Sequence, residues 1–189
     1  MTYNARPIIL ASGSPRRREL LSKMGYQFEI CTPDVDEHVD GHADKIVEIL
    51  AGRKARAAAG HYSRGIIIAS DTLVSLDGKP LGKPVDAADA RRMLRALSGR
   101  EHEVFSGVCV LDAATGRSET RVARTGVLFR EITDAEIDAY IATGEPMDKA
   151  GAYAIQGGAG AFTEALDGSF ENVMGFPVDV VAELLAKFE

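Results

Sequence analysis

The sequence lacks tryptophan, a disulfide framework and any long apolar run. Its two cysteines, Cys31 and Cys109, lie far apart and form no CxxC pair, which favours a reducing compartment. The apolar run that begins at Ile8 is too short for the hydrophobic region of a signal peptide, and no stretch approaches the length of a membrane-spanning helix. We therefore expect a cytoplasmic protein with no membrane partner.

Positive charge is also scarce. The 189 residues include 22 Lys and Arg against 28 Asp and Glu, which gives a formal net charge of −6. Non-specific nucleic-acid binding needs many cations to displace counterions, so nucleic acid is not an expected partner. A small anionic ligand is compatible with this balance, because a local cluster of cations can hold it. The length and the 46% hydrophobic content fit one domain that spans residues 1–189.

Strand and helix patterns alternate along the chain and predict an α/β fold. Apolar runs predict strands at residues 8–11, 28–31, 66–69, 73–76, 103–111 and 120–129, with a further short strand near residues 161–162. Helical patterns cover residues 16–24, 45–59, 86–97, 133–143 and 177–188. Thr133 and Glu136 have the spacing of a capping box, which opens a helix.

The turn between the first predicted strand and helix has the features of an anion site. Residues 12–18 read SGSPRRR, so Ser14 suits the helix cap and Pro15 the first helical position. Backbone N–H groups at such a helix start are unpaired and attract anions. Three arginines in the first turn oppose the helix dipole, and a bound anion would compensate for them. We therefore favour phosphate binding over a solvated basic helix start.

Two acidic residues are candidates for metal binding. Asp71 follows the apolar run at residues 66–69, and a carboxylate at the end of a buried strand is costly unless it is paired or bound to metal. Glu37 lies in an acidic loop, where a solvated loop is the simpler interpretation of its charge. Oxygen ligands alone favour Mg²⁺ or Mn²⁺. The Asp77-Gly78 turn signal could bring Lys83 back beside Asp71.

Other patterns carry no chemistry. The run GKPLGKP is one residue short of a P-loop and has Pro84 where a P-loop has Ser or Thr. Glycines 157, 158 and 160 neither follow a clear strand nor open a clear helix, so they form no dinucleotide fingerprint. The histidines show no metal-ligand spacing, and we expect each of them at the surface: His38, His42, His61 and His102.

Several motifs occur in a fixed order over almost the whole chain. They are LASGSPRRREL, VDE, RKARA, SDT, LGKP, LSG and MDKAGAYAIQG. This series resembles that of the Maf family of nucleoside-triphosphate pyrophosphatases, which has LASxSPRRxELL, an acidic loop, a KA helix, ADT, GKP, LSG and DKAGAYxIQG. The sequence departs from the family pattern at Ser70 and Ala154, and neither change removes a proposed catalytic group.

The resemblance implies a fold and an activity. The fold would be an elongated, two-lobed α/β structure with a mixed sheet and flanking helices, similar to the inosine-triphosphate pyrophosphatase architecture. A nucleotide would bind in the cleft between the lobes, and the chain would form a homodimer. The SPRR and DT motifs resemble the branch that hydrolyses dTTP and UTP to the monophosphate and pyrophosphate with a divalent metal.

The resemblance also implies roles for individual residues. Glu37 and Asp71 would bind the metal and act in catalysis together with Lys83, with Asp71 as the general base. Phosphate contacts would come from Ser12, Arg16, Arg17, Lys54 and Lys83. Gln156 would recognise the pyrimidine ring, because its amide both donates and accepts hydrogen bonds.

Two alternatives to this activity stay open. The family is also associated with restraint of cell division, so the chain could be a regulatory nucleotide-binding protein that inhibits septum formation without essential catalysis. It could also be a phosphatase that removes the terminal phosphate. Removal of non-standard nucleotides is a further role that the resemblance implies.

Overall fold

A computed structural model describes residues 6–188 of the chain. Seven strands, six α-helices and three short 3-10 helices are found in this part. The strands are β1 (Ile8–Leu10), β2 (Phe28–Ile30), β3 (Ile66–Leu76), β4 (Lys79–Leu81), β5 (Glu101–Asp112), β6 (Ser118–Phe129) and β7 (Thr163–Asp167). The α-helices are α1 (Pro15–Lys23), α2 (Ala43–Ala59), α3 (Ala87–Leu97), α4 (Asp134–Ala142), α5 (Phe170–Val173) and α6 (Val178–Ala186). The 3-10 helices are Glu145–Asp148, Ala150–Ala152 and Gly158–Phe162.

All seven strands form one mixed sheet. Their order is β2-β1-β3-β5-β6-β7, and β4 pairs with the end of β3. Strand β1 runs parallel to β2 and β3, whereas the other pairs are antiparallel. The prediction of a mixed α/β sheet with flanking helices is confirmed, and so is the long hairpin formed by β5 and β6.

Strand β3 corrects one prediction. The sequence predicted two strands, with Asp71 between them, but β3 continues from Ile66 to Leu76. The reason is β5, which pairs with β3 without interruption from Ile66 to Ser75. Asp71 therefore lies within a continuous strand. Strand β1 ends opposite Ile68, so β3 has no β1 partner beyond that residue. Asp71 follows three positions later and lines the cleft.

The core is divided between the two ends of the long strands. One cluster packs α3 and α4 against the later half of β3, with Leu94, Phe129 and Ile137 fully buried. At the opposite end, α1 and α6 cover one face of the sheet, and α2 covers the other. Small residues let α2 approach closely, since Ala51 and Ala55 are fully buried against the strands. The cleft lies where these packed regions meet along β3.

Several local predictions can be compared with the structure. The capping box is confirmed, because Thr133 and Glu136 each accept a hydrogen bond from the other's backbone N–H group. The short strand predicted near residues 161–162 lies at Thr163–Asp167 instead, after a 3-10 helix that the glycines introduce. Helix α5 was not predicted from the sequence. Across residues 6–188, no helix combines the length and apolar character required to cross a membrane.

His102 is buried, and the prediction that it lies at the surface is wrong. Its side chain is 2% exposed and its Nε2 lies 2.8 Å from the Tyr153 hydroxyl. The ring also packs edge-on against Phe129, with 4.8 Å between ring centroids. Burial lowers the pKa of His102 to about 4, because a charged imidazole is poorly solvated there. His102 is therefore neutral near pH 7 and packs as an aromatic residue.

The buried His102 should make stability depend on pH. Its pKa is about 4 when folded against 6.5 for a free imidazole, so the unfolded chain binds the additional proton between these values. Its contribution to the free energy of unfolding is complete above about pH 6.5 and is lost as the pH falls towards the folded pKa. We expect His102→Gln to reduce the dependence of the free energy of unfolding on pH, by at most about 1.4 kcal/mol per pH unit. Urea unfolding between pH 4 and 7 measures this, with the exposed His61→Gln as control; equal slopes in the two variants would contradict it.

Candidate active site

The turn after β1 lies beside the middle of β3. The Ala11 backbone N–H donates to Ile68 O at 2.8 Å, after which the chain turns and α1 begins at Pro15 as predicted. Ser14 occupies the predicted cap position, although its side chain makes no capping hydrogen bond. The hydroxyl of Ser12 instead accepts from the Ser14 N–H at 3.2 Å. Ser12 thus shapes the turn from a buried position.

Arg17 connects this turn to the sheet through hydrogen bonds. Its Nη1 donates to Ser70 O at 2.6 Å and to the Ser12 hydroxyl at 3.3 Å. Its Nε donates to Gly175 O at 2.9 Å, and its Nη2 to the Thr72 hydroxyl at 3.2 Å. A guanidinium group has five N–H donors, and Arg17 makes four hydrogen bonds with them inside the protein. The phosphate contact predicted for Arg17 stays a prediction.

Lys54 bridges the two carboxylates that the sequence singled out. Helix α2 carries Lys54 across the sheet, and its Nζ lies 2.6 Å from Asp71 Oδ1 and 2.7 Å from Glu37 Oε1. The side chains of Lys54 and Asp71 are only 14% and 12% exposed, whereas Glu37 is 61% exposed. The hydrogen bond from Lys54 is the main reason that the pKa of Glu37 lies below its usual range. The structure therefore brings Glu37, Lys54 and Asp71 into direct contact.

A cleft of about 800 Å³ opens beside this trio. Most of the residues predicted to act on substrate line it, namely Arg16, Arg17, Glu37, Lys54, Asp71 and Lys83. Within residues 6–188, the side chains of Arg16 and Lys83 make no hydrogen bond and no ion pair. A cation without a protein partner is available to an anionic ligand. The cleft therefore combines two carboxylates with accessible positive charge.

Gln156 stands apart from this group. It is exposed in the turn before the 3-10 helix Gly158–Phe162 and is not among the cleft-lining residues. Its predicted contact with the base stays a prediction. Tyr153, three residues earlier, does line the cleft and is 6% exposed.

Sequence reasoning assigned no role to two charged residues of the cleft. Asp148 and Lys149 both line it, and Asp148 lies near enough to Arg16 for the two charges to interact. Both belong to the motif MDKAGAYAIQG, so the family pattern marked the segment but not its position. That position depends on a long-range contact, because the Gly151 N–H donates to Gly82 O at 3.0 Å. Residue spacing alone gives no signal for such a contact.

Glu37 and Asp71 are the carboxylates that a divalent metal could bind at the cleft. Within the described residues, no group of three or more His, Cys, Asp and Glu side chains could hold an ion. Mg²⁺ commonly binds one or two carboxylates and takes its other ligands from water and substrate phosphates. Glu37 and Asp71, which Lys54 holds together at the cleft, supply that number of oxygen ligands. The site therefore fits a metal that binds together with a phosphorylated substrate.

Comparison with known proteins identifies the family of this chain. Residues 7–188 match the family described as Maf-like protein. A protein from Pelotomaculum thermopropionicum is 48% identical over 185 residues, which cover 97% of each chain. Relatives from Chromobacterium violaceum and Anaeromyxobacter dehalogenans are 48% and 50% identical, and the alignments cover 100% and 95% of this chain and 98% and 93% of theirs.

All three relatives are named dTTP/UTP pyrophosphatase. The matched region includes every residue that lines the cleft, from Gly13 to Gly175. With a family match across nearly the whole chain and relatives of this identity and coverage, the chain belongs to the Maf family.

Proposed function

We propose that this protein hydrolyses dTTP and UTP between the α and β phosphates and releases the nucleoside monophosphate and pyrophosphate. Support comes from its relatives, which are named for this activity. The observation that carries the proposal is the contact of Lys54 with Asp71 and Glu37 beside a cleft lined by unpaired cations. Anhydride cleavage needs both a base for water and positive charge for the leaving group.

Asp71 is the proposed general base. Its carboxylate is held in place by the hydrogen bond from Lys54, at the edge of the cleft where a phosphate would lie. It would accept a proton from the water that attacks the α phosphorus. Arg16 and Lys83 would bind the phosphates and stabilise the charge that grows on the pyrophosphate. Ser12 and Arg17 would help mainly by fixing the turn that presents Arg16.

A divalent metal is part of the proposal. Nucleotide pyrophosphatases of the Maf family generally depend on a metal. Glu37 and Asp71 would hold Mg²⁺ or Mn²⁺, which when bound polarises the phosphates. Lys54 neutralises part of the negative charge of the two carboxylates, which would otherwise repel the substrate phosphates.

Further parts of the proposal rest on the resemblance alone. They are a contact of Gln156 with the pyrimidine ring, a homodimeric assembly, a cytoplasmic location, removal of non-standard nucleotides and an influence on septum formation. Light scattering measures the assembly, and cell fractionation measures the location. The catalytic proposal depends on none of them.

A product assay tests the activity. The protein is incubated with the standard nucleoside triphosphates and Mg²⁺ or Mn²⁺, and the products are separated by ion-exchange chromatography. We expect dTTP and UTP to yield monophosphate and pyrophosphate, because the relatives of this chain are named for that activity. Release of orthophosphate and a nucleoside diphosphate would contradict the proposed cut and would favour a terminal phosphatase.

A further inference from the structure

The end of the cleft beyond Asp71 differs from the charged end. Val74 and Val104, which are paired across β3 and β5 and almost fully buried, form the apolar floor beneath it. Tyr153 and Met174 continue this apolar surface. A nucleobase has apolar faces and a polar edge, so it fits an apolar surface that offers a few placed polar groups. With phosphates at the charged end, a base would lie at this one.

Asp148 and Lys149 line the cleft three and two positions before Gly151, which packs against Val74. The Lys149 side chain is 12% exposed and its ammonium donates a hydrogen bond to Asp148, whose side chain is 77% exposed. Lys149 is thus largely enclosed, while Asp148 reaches into the open cleft. Together they present a donor and an acceptor side by side.

The backbone that carries this pair is held against the cleft floor. Gly151 has φ of 68° and donates its N–H to Gly82 O at 3.0 Å. A Cβ at Gly151 would lie 2.8 Å from Val74 Cγ2, so only glycine allows this close approach. The bond to Gly82 also joins this segment to the loop of Lys83. The backbone segment that carries the donor and the acceptor is therefore anchored to both the floor of the cleft and the loop of Lys83.

We propose that Lys149 and Asp148 read the polar edge of the base and select uracil or thymine over cytosine; the inference rests on the proposed nucleotide hydrolysis. Uracil and thymine present a donor, N3–H, beside an acceptor, O4. The Lys149 ammonium donates to O4, and the Asp148 carboxylate accepts from N3–H. Cytosine presents the reverse order, an acceptor at N3 and an amino group at C4. Both contacts then become repulsive, which is an effective way to reject a ligand.

Substrate discrimination in Lys149→Met tests this inference. The value of kcat/KM is measured for dTTP and dCTP in the wild type, in Lys149→Met and in the matched surface control Lys187→Met. A charge-assisted hydrogen bond is lost only with dTTP, so we expect the dTTP to dCTP ratio to fall about tenfold or more in Lys149→Met. Lys187 pairs with Glu119 away from the cleft, and its variant should keep the wild-type ratio.

The possible outcomes separate this inference from the activity itself. A wild type that releases no pyrophosphate would refute the proposed function, whereas an active wild type with an unchanged ratio in Lys149→Met would refute the inference alone. Equal loss of both substrates would assign Lys149 to the phosphates and also overturn it. Binding of dTMP and dCMP by calorimetry needs no turnover and must show the same change in preference. If Lys149→Met does not fold, Asp148→Ala removes an exposed group and must lower the ratio.

Discussion

Asp71→Asn should lower kcat by about a hundredfold to ten-thousandfold while nucleotide still binds. The amide keeps the size of the carboxylate and can accept the hydrogen bond from Lys54 Nζ, so the fold should be maintained. It cannot take a proton from water, and it is a weaker metal ligand. Steady-state release of pyrophosphate measures the loss, and calorimetry with a non-hydrolysable dTTP analogue measures binding.

Asp167→Asn is the matched control for this substitution. Asp167 lies on the edge strand β7, and its side chain is 84% exposed, so turnover should match the wild type. Near-normal turnover in Asp71→Asn would show that another group accepts the proton. An inactive, folded Asp71→Asn variant would also separate catalysis from any influence on septum formation, which a purely regulatory protein would retain.

Gly107→Ala should lower the free energy of unfolding by about 3 kcal/mol or more, which exceeds the effect of a conservative surface change. Helix α2 crosses β5 so closely that a Cβ at Gly107 would lie 2.2 Å from Val47 O and 2.5 Å from Val47 C. Helix backbone cannot rotate away as a side-chain tip can, so α2 must move off the sheet. Equilibrium unfolding in urea measures the loss of stability.

The same substitution should reduce activity. Gly107 is paired with Asp71, and α2 carries the Lys54 that contacts Asp71. A displaced helix therefore separates this ion pair even in molecules that stay folded. The control is Gly126→Ala on β6, where the added Cβ would lie 3.1 Å from the exposed Glu101 carboxylate and 3.4 Å from Asp167 Cβ. The carboxylate can move aside and the second distance is ordinary van der Waals contact, so the cost should stay below about 1 kcal/mol. Equal losses in the two variants would argue against the close approach of α2.

The sequence predicted elements whose signals are local. The capping box at Thr133 needs only residues within one helical turn, and the hairpin of β5 and β6 needs only two patterned runs joined by a turn. Where pairing partners decide the outcome, the prediction was wrong. Residues 70–72 continue β3 because β5 pairs with them, and His102 is buried because it meets Tyr153, which lies 51 positions later.

The candidate site shows the same division. Glu37 and Asp71 were recognisable as carboxylates in a family pattern, but their shared contact with Lys54 depends on how α2 packs over the sheet. Asp148 and Lys149 carried no spacing signal, because the bond between Gly151 and Gly82 places them. A family motif identifies a set of candidate site residues, whereas tertiary contacts determine where each of them lies in the cleft.

The hydrogen bonds of Arg17 have a consequence for nucleotide binding. They connect the turn at Ser12, the strand at Ser70 and Thr72, and the segment at Gly175 through one guanidinium group. Three segments distant in sequence thus form a single preorganised wall of the cleft. The conformational entropy of arranging that wall is lost when the chain folds and is not lost again when a nucleotide arrives. A nucleotide that reaches this wall would therefore meet groups that the folded chain already holds in place.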